Sequence, residues 1–180
     1  MSSLRKLARI VALAVLGVAG QALFVLFLLA GWLFREWVEG YELWLAFLVS
    51  AIATGGSLFF SEIAHFVPCE LCWYQRICMY PLSIATLLAA LADDRRAARY
   101  LLPLPLVGAG VSVYHLLIEN GAIKEPSACL VGGAGCAVKW INEFGYMTIP
   151  TLALTGFALC FAFLLLGALP APRAATVTEP

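Results

Sequence analysis

Charge is scarce in this chain. Its 180 residues carry eleven basic and eleven acidic side chains, 12% of the total, about half the share usual in a soluble domain. The two signs cancel to a net charge of +0, so there is no basic surface for nucleic acid. No Gly-rich nucleotide fingerprint is present, which argues against NAD or flavin. No alternation of strands and helices appears either, so a C-x-x-C here does not sit in a soluble thioredoxin-like domain. The length leaves no room for a separate soluble domain beside a membrane domain of a few helices.

What the chain has is apolar surface, 63% of residues, and six cysteines. Five apolar runs stand out: Ile10–Phe34, Leu43–Phe66, Trp73–Ala92, Tyr100–Ile118 and Ile149–Leu169. At about 1.5 Å of rise per residue, runs of this length can cross a hydrocarbon layer of roughly 30 Å. Pro81 inside the third implies a kink. The first run, preceded by Arg5, Lys6 and Arg9, also has the make-up of a signal peptide. Its apolar residues continue past Ala22, which favours a retained helix. Gly108 with Ser112, and Ala53 with Ser57, are small residues four apart and read as helix-packing positions. Glu62 and His65 read as interfacial polar residues. Cys78 and Cys160 fall inside apolar runs and read as small buried side chains.

Arg95, Arg96 and Arg99 crowd the short loop between the third and fourth runs. Basic loops stay in the cytoplasm, so that loop is expected inside. Helix parity then puts two segments outside: the turn at Cys69–Cys72, and the one long polar stretch, Glu119–Thr148. If all five runs span, the basic tail also lies outside, against the same rule.

The turn reads CELCWYQR, Cys69 to Arg76. Pro68 before it suggests a helix start with proline at the first position. Cys69, Glu70 and Cys72 would then occupy the first turn, where backbone N–H groups and the helix dipole favour a thiolate. Arg76 is four residues beyond Cys72, on the same helix face. The second pair, Cys129 and Cys136, encloses LVGGAG. Its glycines let the loop bend until the sulfurs meet. So small a loop gains little from closure, which suits an exchangeable bond; a plain structural staple is the other reading. Beyond it, AVKWINEFGYM places Trp140, Phe144 and Met147 at helical spacing, the pattern of a short interfacial helix.

Two cysteine pairs facing one side of a membrane suggest a thiol–disulfide relay. A relay must end in an acceptor, and a lipid-soluble quinone reached from the bilayer is the natural one. Two other classes use the same residues. A Cys₄ zinc site would need an unusual spacing and leaves Arg76 without a role. A helical scaffold or transporter subunit with inert disulfides needs no relay. His115, on one helix face with Glu119, is either an interfacial histidine or a quinone contact.

SEIAHFVPCELCWYQRICMYPL together with the later C-x₆-C and AVKWINEFGYMTIP closely resembles the bacterial disulfide-bond-forming membrane oxidoreductases of the DsbB/BdbC type. The short-loop BdbC branch is nearer, because its second pair is also closely spaced. The resemblance covers roughly Leu43 to Leu169. It implies an all-α integral membrane protein, a four-helix transmembrane bundle in the bacterial plasma membrane with both pairs outside. Residues 43–169 would form that domain, 1–42 a tail and an additional N-terminal hydrophobic helix, and 170–180 a polar tail. The extra helix departs from the family pattern. The resemblance further implies a secreted or membrane-anchored thioredoxin-like dithiol oxidase (DsbA/BdbD type) as reduced partner, and ubiquinone or menaquinone as acceptor. By position, Cys129 is attacked by the partner and Cys136 completes that pair. Electrons pass to Cys69 and Cys72, with Cys72 facing the quinone. Arg76 lies beside both quinone and thiolate, and His115 near the quinone. Such a relay supports disulfide formation in exported proteins.

Overall fold

The computed structural model describes residues 38–127, 129, 134–141 and 147–169. The first apolar run with its basic tail, and the C-terminal tail, lie outside the described residues. The chain is helical. Helix α1 spans Glu42–Leu58 and continues into a π-helical turn, Phe59–Ile63. Helix α2 is Glu70–Leu91, α3 Ala97–Leu101, α4 Pro103–Glu119 and α5 Ile149–Ala168. Among the described residues, three stretches are long and apolar enough to cross a membrane: 42–63, 97–119 and 149–168. The 22 residues of α2 match them in length, with its two charged side chains, Glu70 and Arg76, in the first two turns.

Local chemistry explains the joints. The expected fourth run is broken at Leu102, because Pro103 and Pro105 supply no amide hydrogen to the ladder. The expected proline start of α2 is displaced by two residues. Pro68 lies ahead of the helix, and Cys69 is the N-cap, with extended backbone and its sulfur accepting from the Cys72 amide at 3.3 Å. A thiol thus takes the place an Asp or Ser side chain usually fills. Helix α2 runs on through Pro81. The π turn closes with the Ala64 amide on the Phe59 carbonyl, and His65 then turns the chain at φ 54°.

Helix α1 packs on α2 and α5, and α4 packs on the same two. Leu82, Phe157, Cys160 and Leu164 are fully buried between them. Outward-facing side chains such as Ile52, Ile77, Ile84 and Leu106 are apolar and exposed, as a lipid-facing surface requires. Lipid tails are as apolar as leucine, so close packing and interhelical hydrogen bonds hold such helices together. Ser50 and Thr86 make one such bond, 3.4 Å between α1 and α2. Gly108 makes the tightest approach: a Cβ there would collide with the Phe157 ring. Gly108→Ala is therefore expected to destabilise the bundle by about 1–3 kcal/mol, the usual cost of overpacking. Thermal unfolding in detergent should register it; an unchanged midpoint would mean that α4 and α5 slide apart freely.

The two ends of the bundle differ. At one, Arg95 pairs with the buried carboxylate of Glu42 at 2.8 Å, and the Gly40 amide caps the other oxygen at 2.9 Å. The cysteines gather at the other.

Candidate active site

Everything at the cysteine end is referred to the start of α2. The spanning part of that helix begins at Trp73, so Cys69 and Cys72 stand at its polar edge. Their sulfurs are 2.7 Å apart. The Cys69 thiol donates to Cys72, which holds Cys69 protonated far above the ordinary thiol range; burial pushes the same way, and His115 opposes both. Cys72 is shifted down, first by that same hydrogen bond, then by its own bond to the Cys69 backbone and the charge of Arg76; burial and the charge of Glu119 act against this. The pair is therefore polarised: the proton is favoured on Cys69, and thiolate character is favoured on Cys72.

Arg76 is not hydrogen-bonded to Cys72. Its Nε donates to Ser57 Oγ at 3.0 Å and its Nη2 to the Ser57 carbonyl at 3.1 Å, while the guanidinium lies 5.2 Å from the centre of the Trp73 ring. Tyr80 also reaches Ser57 Oγ, at 3.3 Å. The arginine is clamped across helices, and its charge reaches Cys72 through space. Ser57, whose spacing suggests only packing, is the clamp.

His115 connects the two cysteine pairs. Its Nε2 lies 3.0 Å from the Cys136 carbonyl and 3.7 Å from Cys69 Sγ. A carbonyl only accepts, so Nε2 carries the hydrogen. Nδ1 is then an acceptor, and Gln75 Nε2 donates to it at 3.3 Å. The ring is buried and held in one tautomer from both sides. Gln75 was not evident as a site residue, although it sits three residues after Cys72 on the same helix face.

Cys129 and Cys136 are joined as a disulfide with Cα atoms 5.6 Å apart. Both are buried, against Cys69, Leu71 and Ile118. Glu125 accepts from the Ala137 amide at 3.2 Å and fastens the loop beside them. The expected interfacial helix after Cys136 is not formed where residues are described. Residues 137–141 are turn and irregular chain; 142–146 lie outside the described residues. The physical reason is local: the Val138 amide turns back to the Gly135 carbonyl, and Trp140 stacks on Phe66 with ring centres 5.1 Å apart.

That stack borders a cavity of about 460 Å³ between α1, α2 and α5, lined by Ser57, Phe66, Cys72, Arg76, Tyr80 and Trp140 among mostly apolar neighbours. Its volume is that of a small-molecule site. Cys72 lines it and Cys69 does not. A second cavity, about 20 Å³, lies behind the pair and touches Cys69, Cys72, His115 and Glu119. Cys69, Cys72 and His115 also bring their ligand atoms within 4.8 Å of one another. Two thiolates on one tetrahedral zinc stand roughly 3.8 Å apart, from a Zn–S bond near 2.3 Å. The Cys69–Cys72 sulfurs are closer than that, at 2.7 Å, and the other two cysteines are joined to each other.

The model of the family "Disulfide bond formation protein DsbB" matches residues 40–167. The chain belongs to the DsbB family. Among its curated relatives, "Probable disulfide formation protein C 1" of Bacillus anthracis is 46% identical over 123 residues, covering 68% of this chain and 88% of the relative. "Disulfide bond formation protein C" of Bacillus subtilis is 44% identical over 124 residues, 69% and 90% of the two chains. "Probable disulfide formation protein" of Deinococcus radiodurans is 42% identical over 133 residues, 68% and 86%. No solved structure matches. As a DsbB-family chain, the protein is a helical membrane enzyme, a disulfide oxidoreductase. Gln75→Leu, which frees His115 to rotate, is expected to slow exchange between the two cysteine pairs about tenfold, the low end of what second-layer partners contribute. Rapid-quench thiol trapping reads that rate; no change would make Gln75 a packing residue.

Proposed function

We propose that this DsbB-family chain is a protein-disulfide:quinone oxidoreductase of the bacterial plasma membrane. It re-oxidises an extracytoplasmic thioredoxin-like dithiol oxidase of the DsbA/BdbD type and so sustains disulfide formation in exported proteins. The observation that carries the reading is the division of labour at the start of α2. Both cysteines border the cluster around the Cys129–Cys136 disulfide, Cys69 as a buried member of it, and Cys72 alone of the two also lines the large apolar cavity beside Arg76.

The chemistry follows from these positions. A partner thiolate attacks the Cys129–Cys136 bond, with Cys129 as the sulfur that forms the mixed disulfide. The partner's second thiol resolves it, and the partner leaves oxidised. The reduced Cys129/Cys136 pair then exchanges with Cys69–Cys72. The cavity suits a quinone: it is apolar along most of its wall, and Arg76, Tyr80 and Ser57 gather polar atoms near Cys72. Bound ubiquinone or menaquinone supplies a two-electron, two-proton acceptor. Arg76 keeps the Cys72 thiolate available and fixes the polar end, and Phe66 stacked on Trp140 covers the aromatic side. The arginine loop 93–99 stands at the opposite end from the cysteines, which supports an orientation with both pairs outside.

The test is quinone reduction by the purified protein, with a reduced thioredoxin-like oxidase as electron donor. The wild type is expected to consume quinone. Cys129→Ser should lose turnover with the protein donor and still oxidise a small dithiol that reaches Cys69–Cys72 directly. Residual turnover with the protein donor equal to the wild type would remove Cys129 from its role. A wild type that consumes no quinone, with all four cysteines resistant to reductant, would leave a scaffold with structural disulfides.

A further inference from the structure

Disulfide exchange moves protons as well as electrons, and a proton must come and go at Cys69. His115 is already engaged at both ring nitrogens, Nε2 with the Cys136 carbonyl and Nδ1 with Gln75. Arg76 is a permanent cation. One group remains beside the pair. Glu119, the last residue of α4, is 8% exposed. Its Oε2 accepts from Thr148 Oγ1 at 2.8 Å, and Thr148 is itself buried with Thr151 Oγ1 3.1 Å away. Among the described residues the one ion pair is Arg95–Glu42, at the far end. A carboxyl group buried without a cation is costly, and Glu119 is held by a threonine hydroxyl in place of one. The small cavity joins Glu119 to the sulfurs. Its roughly 20 Å³ are lined by Glu119, Cys69, Cys72 and His115, enough room for one water with polar partners on several sides.

We propose that Glu119 is the proton-exchanging group of the Cys69/Cys72 pair, acting on Cys69 through a single water. The inference rests on the relay reading above and deepens it. In the exchange step, an outer thiolate attacks Cys69 Sγ, the Cys69–Cys72 bond breaks, and Cys72 leaves as a thiolate. The second outer thiol then attacks its partner sulfur in the mixed disulfide, re-forms Cys129–Cys136 and displaces Cys69. The departing Cys69 sulfur takes its proton from Glu119. One disulfide is lost and one is made. Of the two outer thiol protons, one ends on Cys69 by way of Glu119 and the other goes to solvent. When Cys69–Cys72 closes again and gives up two electrons, the Cys69 proton returns by the same path.

Among the described residues, the titratable and charged groups that bear on Glu119 are few. Helix α2 contributes Cys69 and Cys72, with Arg76 one turn further on, and α4 contributes His115. The N-terminal turn of α5 presents the two threonines. From the loop, Lys139 is engaged with Asn120 at 3.3 Å and Glu125 with the Ala137 amide. Glu119 is a positioning residue for the proton, so its test needs more than a loss of rate.

The experiment omits quinone. The oxidised full-length protein is mixed with dithiothreitol, quenched in acid and alkylated, and the state of each cysteine pair is read by mass spectrometry between pH 6 and pH 8. The same reaction in a Cys129→Ser, Cys136→Ser background measures direct attack on Cys69–Cys72. Glu119→Gln keeps an acceptor for Thr148 and is expected to slow outer-to-inner exchange about 30-fold or more, near the range of general acid–base contributions. It should leave reduction of Cys129–Cys136 unchanged. Glu119→Asp should recover exchange to within about tenfold of the wild type, which a merely structural role would not require. Exchange in Glu119→Gln within threefold of the wild type across that range overturns the proposal while the relay stands. Inner-pair reduction that is equally fast without the outer cysteines overturns the relay, and Glu119 with it. Failure to reduce quinone in a separate assay touches neither result.

Discussion

Cys72→Ser is expected to lower quinone reduction by about 10³-fold or more, to the level of the uncatalysed background, because the step it removes is covalent. Cys72 is the sulfur on the wall of the large cavity. A serine hydroxyl there neither forms a disulfide nor carries a thiolate at neutral pH. Cys69 cannot substitute, since it faces the other disulfide and holds its proton firmly. The variant should also accumulate a distinctive species. Attack of an outer thiolate on Cys69 needs a Cys69–Cys72 bond, so in Cys72→Ser the outer pair should simply stay reduced after one encounter with donor. Non-reducing gels and thiol counts would read this directly. Quinone reduction within tenfold of the wild type would move the terminal cysteine elsewhere.

Arg76→Ala should produce the next largest change, on two separate readouts. The first is an apparent quinone KM raised about tenfold, as expected when a single charge-assisted hydrogen bond is removed from a partly buried site. The second is thiol reactivity. The Cys72 pKa is held below its ordinary value, chiefly by the Cys69 thiol and in part by Arg76. Removing the guanidinium raises it, so the midpoint of Cys72 alkylation against pH should move upward and the reactive fraction near neutrality should fall. The shift should be partial, because the Cys69 hydrogen bond remains. Arg76→Lys retains a charge and loses the fork that grips Ser57; it should spare the alkylation midpoint better than the KM. An unchanged KM in Arg76→Ala would take Arg76 out of the cavity's function.

Much of this site is legible in the sequence. The proline, the C-x-x-C and the arginine four residues on describe a helix start with a thiolate and a nearby cation. They do so because helix geometry converts spacing into proximity. The last four apolar runs became helices for the same reason. Other features were hidden because they depend on the meeting of distant segments. Ser57 reads as a small packing residue along α1, and only the approach of α2 makes it the partner of Arg76. Gln75 and Glu119 look like polar residues near helix ends until α2, α4 and the start of α5 converge. The interfacial helix expected at Ala137–Met147 gave way where the turn at Gly135–Val138 and the Phe66–Trp140 stack set the path of the chain. Periodicity records which face a side chain occupies and carries no information about what meets that face.

Both sulfurs at the start of α2 border the cluster around the loop disulfide, and Cys72 alone also opens on the large apolar cavity. In the proposed relay this means two independent substrate stations for steady-state kinetics. A dithiol protein docking on the loop and a lipid-borne acceptor in the cavity need not displace each other, and a freshly formed product at one station can depart while the other is occupied. Initial rates plotted against both substrates should give the parallel lines of a ping-pong scheme. Dead-end analogues should nevertheless compete only with their own substrate, so neither substrate in excess stalls the enzyme.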